Sequence, residues 1–320
     1  MKNMPIKSLL ILFLFASLLL NSCTTSPAEP VAQPTPAEPT LQASITLTDG
    51  LGRSLTLEGP PQRIVSLAPS NTEILFAIGA GQQVVGRDEF SNYPEDALAL
   101  PSVGGSWGNY NTEAIVELNP DLVLAAEINP PELVESLEKL GLTVYLLPNP
   151  TDIDGIYQIM ETAALLTWRQ AETTILVQSL KERVEAVTNQ TSGLTDRPAV
   201  FYELDSTEPN APYTAGAGTF VELLIEMAGG TNIGNAMDSP WAQISLEQLV
   251  VLDPDIILLG DSAYGVTPES VGARAGWESI SAVANARVYP FDDDLASRPG
   301  PRMVDGLEAM ARLIQPEVFK

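Results

Sequence analysis

The chain has 320 residues, and its 41 acidic side chains against 16 basic ones give a formal net charge of −25 at pH 7. Since nucleic acids and anionic lipid headgroups repel a protein of this charge, we exclude nucleic-acid binding. The chain also has no histidine and one cysteine, which excludes Ser-His-Asp and Cys-His catalysis, imidazole-ligated zinc, histidine-ligated haem and a disulfide within the chain.

Residues 1–22 have the pattern of a secretory signal peptide. Lys2 and Lys7 precede an uninterrupted apolar run at 9–20, which is shorter than the roughly 20 residues that a membrane-spanning helix needs. The sequence LNSC at 20–23 then resembles a bacterial lipobox. We therefore expect Cys23 to become the lipidated first residue of the mature protein and its only link to a membrane. Ordinary signal cleavage, which would leave a free thiol, is the alternative.

Residues 23–42 are predicted to form a tether. They contain five prolines, at positions 27, 30, 34, 36 and 39. Proline at this density prevents helices and sheet ladders and favours extended, semi-rigid chain. Such a segment would hold a folded body away from a membrane, and a tail without this role would have the same composition.

The remaining residues, roughly 280, are enough for two domains. Apolar runs bounded by turn residues predict strands, and apolar residues at helical spacing predict helices. In a first lobe over 43–151 we expect strands at 63–68, 84–86, 122–126 and 143–147 and helices at 73–78 and 132–140. Residues 152–190 predict one long linking helix, with room for a break near Thr167 and Trp168. In a second lobe over 191–320 we expect strands at 199–202, 256–259 and 288–289 and a helix at 220–227.

One twelve-residue pattern occurs twice, at 113–124 and at 247–258. Both copies read E-x-[IL]-V-x-L-[ND]-P-D-[LI]-[VI]-L. The first half predicts a helical turn, which ends before the proline because the residue preceding a proline is disfavoured in the α region. The apolar run after the proline predicts a buried parallel strand. One copy in each predicted lobe indicates two related α/β units.

Eight segments, in chain order, are similar to a single family. They are 63–81, 93–94, 103–107, 111–116, 212–216, 240–241, 247–250 and 294–302. Through them the chain resembles the substrate-binding proteins of ABC importers for vitamin B12, iron-siderophores and haem, and within that group the cobalamin-binding proteins. The resemblance implies an α/β fold of two Rossmann-like lobes joined by one long α-helix, with a ligand cleft between the lobes. It further implies an extracytoplasmic monomer that is not an enzyme and has no cofactor or metal site.

The resemblance also assigns candidate ligand-binding residues. Carried over position by position, they are Phe90, Trp107, Tyr213, Trp241, Asp294 and Arg298. Flat aromatic side chains suit a large, partly apolar macrocycle, because they bury much area at a small entropic cost. Phe90 stands where the cobalamin-binding pattern has a tyrosine, and Ala126 stands where it can have a tryptophan. The alternatives are that the aromatic residues belong to the core and that Asp294 and Arg298 pair within a solvated acidic loop.

Glu113 and Glu247 occupy the same position in the two copies of the repeat. The resemblance implies that each pairs with arginines on one of the two subunits of an ABC permease dimer. Two related faces suit a permease with two-fold symmetry, and charged rim contacts chiefly orient docking. The alternative is that a glutamate at a helix start only complements the helix dipole.

The leading hypothesis for the ligand is a corrinoid, and a ferric siderophore is the alternative. Siderophore complexes are often anionic, and the chain offers few arginines to meet them, namely Arg87, Arg274 and Arg298. Haem stays open because a tyrosine can ligate iron without histidine. A different class of function, a lipid-anchored sensor or an enzyme with a pair of carboxylates, would be distinguished by turnover of a substrate.

Overall fold

The computed structural model describes residues 44–105 and 108–320. The predicted signal peptide, Cys23, the tether and Trp107 lie outside the described residues. The described chain begins with an antiparallel hairpin of β1 (Ile45–Thr48) and β2 (Ser54–Leu57).

The first sheet consists of four parallel strands. They are β3 (Ile64–Ser66), β4 (Val84–Arg87), β5 (Leu122–Ala126) and β6 (Val144–Leu147), in the spatial order β4-β3-β5-β6. Helices α1 (Pro69–Ala77), α2 (Thr112–Glu117) and α3 (Pro131–Lys139) connect or flank them. The apolar run of β5 is almost wholly buried, as expected for a strand covered on both faces. Because the chain turns to opposite sides of β3 before β4 and β5, the carboxyl ends of β3 and β5 form a topological switch point.

The predicted linking helix is two helices, α4 (Ile153–Thr167) and α5 (Gln170–Thr191). They are separated at Trp168, which has the left-handed backbone conformation with φ of 57°. The 22 residues of α5 extend over about 33 Å at 1.5 Å per residue. Buried side chains of α4 and α5 belong to one apolar cluster that includes residues from both sheets. The two lobes therefore share a core along these helices.

The second sheet is mixed. Its strands are β7 (Ala199–Asp205), β8 (Tyr213–Ala215), β9 (Thr231–Asn232), β10 (Trp241–Gln243), β11 (Ile256–Leu259) and β12 (Val288–Pro290). The order is β10-β8-β7-β11-β12 with β9 also beside β7, and only the β8 pairings are antiparallel. The helices of this lobe are α6 (Phe220–Met227), α7 (Leu246–Leu252), α8 (Pro268–Gly272), α9 (Ser281–Ala284), α10 (Asp294–Ser297) and α11 (Met303–Ile314). The predicted α/β class is confirmed.

No helix within the described ranges has both the length and the apolar composition that crossing a bilayer requires.

Both copies of the repeat end their helix in the same way. Asn119 after α2 and Asp253 after α7 have left-handed backbone conformations, with φ of 46° and 40°. Asparagine and aspartate tolerate this region better than other residues with a Cβ atom. The residue before each proline has thus left the right-handed helical region, but into the left-handed region and not into extended chain.

The aspartate after each proline ties the repeat to the neighbouring strand. The carboxylate of Asp121 accepts a hydrogen bond from the backbone N–H of Arg63 at 2.9 Å, immediately before β3. The carboxylate of Asp255 accepts one from the N–H of Ala199 at 2.8 Å, at the start of β7. The repeat therefore encodes one structural unit: a helix end, a turn and a clamp on the central strand of its sheet.

A buried ion-pair cluster joins the lobes. Glu73 on α1 has only 1% of its side chain exposed. Its carboxylate accepts a hydrogen bond from Arg298 Nη1 at 3.1 Å and two from Arg302, from Nε at 2.8 Å and Nη2 at 2.6 Å. Both arginines precede α11 in the second lobe, so one carboxylate of the first lobe is held by two guanidinium groups of the second.

The left-handed turn gives a test of the repeat. We expect Asn119→Ala to lower the free energy of unfolding by about 1–2 kcal/mol, because a Cβ without a local hydrogen-bonding group is disfavoured in the left-handed region. Asn119→Gly should leave stability within about 0.5 kcal/mol of the wild type. Urea denaturation measures both, with the exposed helical substitution Glu117→Ala as control. Equal stability of the alanine and glycine variants would contradict this account of the turn.

The ion-pair cluster gives a second test. Glu73→Gln leaves the largely buried guanidinium of Arg302 without its paired carboxylate and Arg298 paired only with Asp294, so we expect a loss of about 3–5 kcal/mol in the free energy of unfolding. The control is Glu135→Gln, because the pair of Glu135 with Lys139 is exposed on both sides and should contribute less than about 1 kcal/mol. Thermal and urea unfolding provide the measurement. A loss no larger than that of the control would show that the cluster does not hold the lobes together.

Candidate functional site

A cleft with a volume of about 780 Å³ lies where the carboxyl ends of the first sheet face the second lobe. The first lobe lines it with Leu67, Ala68, Pro69, Ser70, Asp88, Phe90, Gly105, Gly108, Tyr110, Ala126, Glu127, Ile128 and Asn149. The second lobe contributes Tyr264, Asp294, Ser297, Arg298 and Pro299. The residues at 67–70 follow β3 and those at 126–128 follow β5, so the cleft occupies the switch point at which open α/β sheets bind ligands.

Large apolar and aromatic side chains project into the cleft without being covered by protein. Ile128 is 80% exposed and Tyr264 is 90% exposed, although both line the cavity, and Phe90 is exposed as well. Exposed side chains of this size gain free energy when a ligand covers them. The arrangement is suited to a molecule with a broad apolar surface.

The polar groups on the floor of the cleft are held by other protein groups. Asp88 is buried, and its carboxylate accepts hydrogen bonds from the Phe90 N–H at 2.8 Å and from the Ser91 hydroxyl. Burial raises the pKa of Asp88 above its usual value. The Tyr110 hydroxyl donates to the Leu67 carbonyl at 2.9 Å, and burial, followed by the nearby Asp88, raises the pKa of Tyr110 to about 12. Tyr110 is therefore protonated at neutral pH and positions the loop after β3.

Asp294 and Arg298 both lie in the cleft wall, at the two ends of the short helix α10. Their side chains form an ion pair at 2.7 Å. Besides its bond to Glu73, the guanidinium of Arg298 donates to the Asn92 side-chain oxygen at 2.7 Å and to the Phe90 carbonyl at 3.3 Å. Arg298 is thus part of the contact between the lobes, and its charge is already neutralised there.

The other predicted aromatic residues lie elsewhere. Tyr213 and Trp241 are exposed on the paired strands β8 and β10, at one edge of the second sheet, and neither lines the cavity. Trp107 falls outside the described residues, and the glycines on either side of the gap, Gly105 and Gly108, line the cleft.

Tyr264 and Ile128 are cleft residues that the sequence analysis did not name. Each follows the carboxyl end of a buried parallel strand, Ile128 after β5 and Tyr264 after β11. That position was the signal available in the sequence, because loops after parallel strands converge on the crevice. It would have pointed to Asp88, after β4, as well.

Glu113 and Glu247 lie in the first turns of α2 and α7, and both side chains are exposed. The helix starts are already capped, by the side chain of Asn111 in the first and by a capping box of Ser245 with Gln248 in the second. Within the described chain neither glutamate has a hydrogen-bond or ion-pair partner. Both carboxylates are therefore free to contact another molecule.

The part of the chain that the structure describes contains no group of three or more histidine, cysteine or acidic side chains that could hold a metal ion.

Comparisons with known proteins agree with this geometry. A family profile described as "Periplasmic binding protein" matches residues 64–295. An uncharacterized ABC transporter substrate-binding lipoprotein of Bacillus subtilis, YvrC, is 33% identical over 281 residues, covering 86% of this chain and 87% of the relative. A cobalamin-binding protein of Halobacterium salinarum is 31% identical over 290 residues, covering 88% of this chain and 77% of the relative.

A solved structure shows the same fold. The periplasmic haem-binding protein RhuT of Roseiflexus superimposes with a TM-score of 0.72 at 27% identity, covering 80% of this chain and 99% of that one. The family resemblance and the two-lobe α/β fold expected from the sequence are confirmed, and so is the expectation that the protein is a binding protein and not an enzyme. The chain belongs to the periplasmic binding protein family, among the substrate-binding proteins of ABC transporters.

Proposed function

We propose that this protein binds a corrinoid in the cleft between its lobes and delivers it to the permease dimer of an ABC importer. The observation that carries the proposal is the lining of the cleft, in which broad uncovered side chains such as Ile128 and Tyr264 surround a cavity of about 780 Å³. A corrin macrocycle offers a wide, partly apolar face to such a wall. The cobalamin-binding relative from Halobacterium salinarum supports the same ligand class.

The charge of the cleft supports a ligand that is not an anion. Its lining includes the acidic residues Asp88, Glu127 and Asp294 and one basic residue, Arg298. The guanidinium of Arg298 is shared between Glu73 and Asp294. An anionic ferric complex in this cleft would face net negative charge at short range, where screening by salt is weak.

The other two arginines considered as siderophore ligands, Arg87 and Arg274, are also hydrogen-bonded to protein groups. Arg87 donates to the Ala97 and Asp88 carbonyls, both at 2.9 Å. Arg274 donates to both carboxylate oxygens of Glu203, at 2.5 and 2.9 Å, and Glu203 is wholly buried. A siderophore could therefore engage these groups only by breaking part-buried hydrogen bonds of Arg87 or the buried ion pair of Arg274.

Haem, or an iron complex with an open coordination site, is the second candidate. The phenol group of Tyr264 is almost fully exposed in the cleft wall, and a tyrosine oxygen can ligate haem iron. The haem-binding protein with a similar fold supports haem as this second candidate.

We also propose how the protein is attached to the membrane. Lipidation of Cys23, with 23–42 as a tether, would keep a monomeric binding protein at the outer face of the cell membrane, and the B. subtilis relative is named a lipoprotein. No other contact with the membrane is proposed. Glu113 and Glu247 would each meet a basic group on one permease subunit.

Calorimetric titration of residues 42–320, which form one compact unit, tests the ligand. We expect cyanocobalamin or cobinamide to bind with a Kd below about 1 µM, and Tyr264→Ala to weaken binding at least about tenfold, because a covered aromatic face contributes about 1.5–3 kcal/mol. The control is Ile175→Ala, an exposed residue of α5 outside the cleft. If haem or a ferric siderophore binds tightly and neither corrinoid binds, the corrinoid proposal is wrong and the ligand is the one that binds.

Uptake of labelled cyanocobalamin by cells that lack the wild-type protein tests docking. We expect the double variant Glu113→Ala with Glu247→Ala to lose uptake while the purified protein keeps its affinity for the ligand. The matched control is Glu132→Ala with Glu269→Ala, because these glutamates are also exposed in first helical turns, of α3 and α8. If the control loses as much uptake, the helix dipole and not docking explains the glutamates.

A further inference from the structure

A small apolar pocket lies on the second lobe beside the exposed carboxylate of Glu247. Its volume is about 300 Å³, and it is lined by Ala236, Met237, Glu247, Gln248, Val251 and Leu252. None of these residues is basic. Val251 on its rim is 83% exposed, so α7 presents a pocket, an uncovered valine and a single negative charge to solvent.

The two copies of the repeat differ at this position. Val251 follows Glu247 by four residues, and the residue that follows Glu113 by four is Glu117. Residues four apart lie on the same face of a helix. The face of α2 therefore presents two exposed carboxylates, Glu113 and Glu117, whereas the face of α7 presents one carboxylate and one aliphatic side chain.

The chemistry of the pocket defines what can occupy it. An apolar cavity with a polar rim is the form of an interface hot spot, in which one bulky side chain is buried and the rim excludes water. The carboxylate of Glu247 on the rim, on a chain with a net charge of −25, selects a basic neighbour for that side chain. The occupant is therefore an apolar side chain adjacent to an arginine or lysine on a protein surface.

We propose that this pocket receives such an apolar side chain from the permease subunit that docks on the second lobe, while the first lobe docks through charge alone. This inference rests on the proposed docking role of Glu247. It assigns different chemistry to the two lobes: Glu113 and Glu117 attract a basic surface, and Val251 with its pocket anchors an apolar one.

Uptake by cells that carry the full-length protein tests the anchor. Val251→Glu, which introduces the side chain found at residue 117 of the first lobe, should lower uptake of labelled cyanocobalamin at least tenfold. Val251→Leu should retain uptake within twofold, because it keeps an apolar side chain. Affinity for cyanocobalamin and the melting temperature should not change in either variant. Ile175→Glu is the matched control, an exposed aliphatic residue of α5 that receives the same new charge. Uptake by the Val251→Glu variant equal to that of the control would overturn the proposal.

Photo-crosslinking tests the role of the pocket independently of which ligand the protein carries. With p-benzoylphenylalanine in place of Val251, membranes should yield a crosslink to the membrane subunit of an ABC transporter, at a peptide with an arginine or lysine next to an apolar residue. The same probe in place of Ile175 should yield none. A crosslink at residue 251 from a protein that does not bind cyanocobalamin would refute the corrinoid and support the pocket. Absence of the crosslink in membranes that support uptake would refute the pocket.

Discussion

The carboxylate of Glu73 is the group on which the arrangement of the two lobes depends. It belongs to α1, the helix that begins at the switch point of the first sheet, and it is held by Arg298 and Arg302 of the second lobe. Such a charge is tolerated in the interior only while its partners are in place, because nothing else compensates for its loss of water. Separation of the lobes at this point would leave Glu73 and Arg302 unpaired and Arg298 with Asp294 alone, so the cluster favours contact between the lobes on this side of the cleft.

The same constraint determines the charge that the cleft offers to a ligand. Arg298 is the basic residue of the cleft lining, and its guanidinium forms ion pairs with the carboxylates of Glu73 and Asp294. The lining also includes the carboxyl groups of Asp88 and Glu127, so its acidic side chains outnumber the one arginine. A contact that joins the lobes therefore also disfavours anionic ligands, and it leaves apolar coverage as the main source of binding free energy.

Those parts of the fold that follow from local physics could be predicted from the sequence. The helix end before the proline recurs in both lobes, because the left-handed turn depends on residues within the motif. The strand clamp could not be predicted in this way, because Asp121 and Asp255 accept hydrogen bonds from backbone groups 58 and 56 positions away. The sequence indicated where a break between α4 and α5 could fall, near Trp168, but not that one is present. The segment has no proline or glycine at this point, and tryptophan is unusual in the left-handed region.

The cleft residues could be predicted only in part. Asp294 and Arg298 lie in its wall, but that Arg298 pairs with a residue 225 positions away could not be read from spacing. Tyr213 and Trp241 occupy strands at a sheet edge, whereas Tyr264 reaches the cleft from the short 3-10 helix Gly260–Tyr264 that follows β11. Which segment meets a ligand depends on how the lobes face each other, and that arrangement involves contacts between residues far apart in the sequence, such as the cluster at Glu73.

The internal repeat separates structural from external constraints within one molecule. Asn119 and Asp253, with the prolines after them, match because a backbone turn requires it. Glu113 and Glu247 also match, although each helix start is already capped by other side chains. The position four residues after each of these glutamates differs: it is Glu117 in the first lobe and Val251, an exposed valine beside a pocket, in the second. No hydrogen bond or ion pair within the described residues explains the match at the glutamates, and Val251 is 83% exposed. The proposed contact with two related permease subunits would account for both the match and the difference.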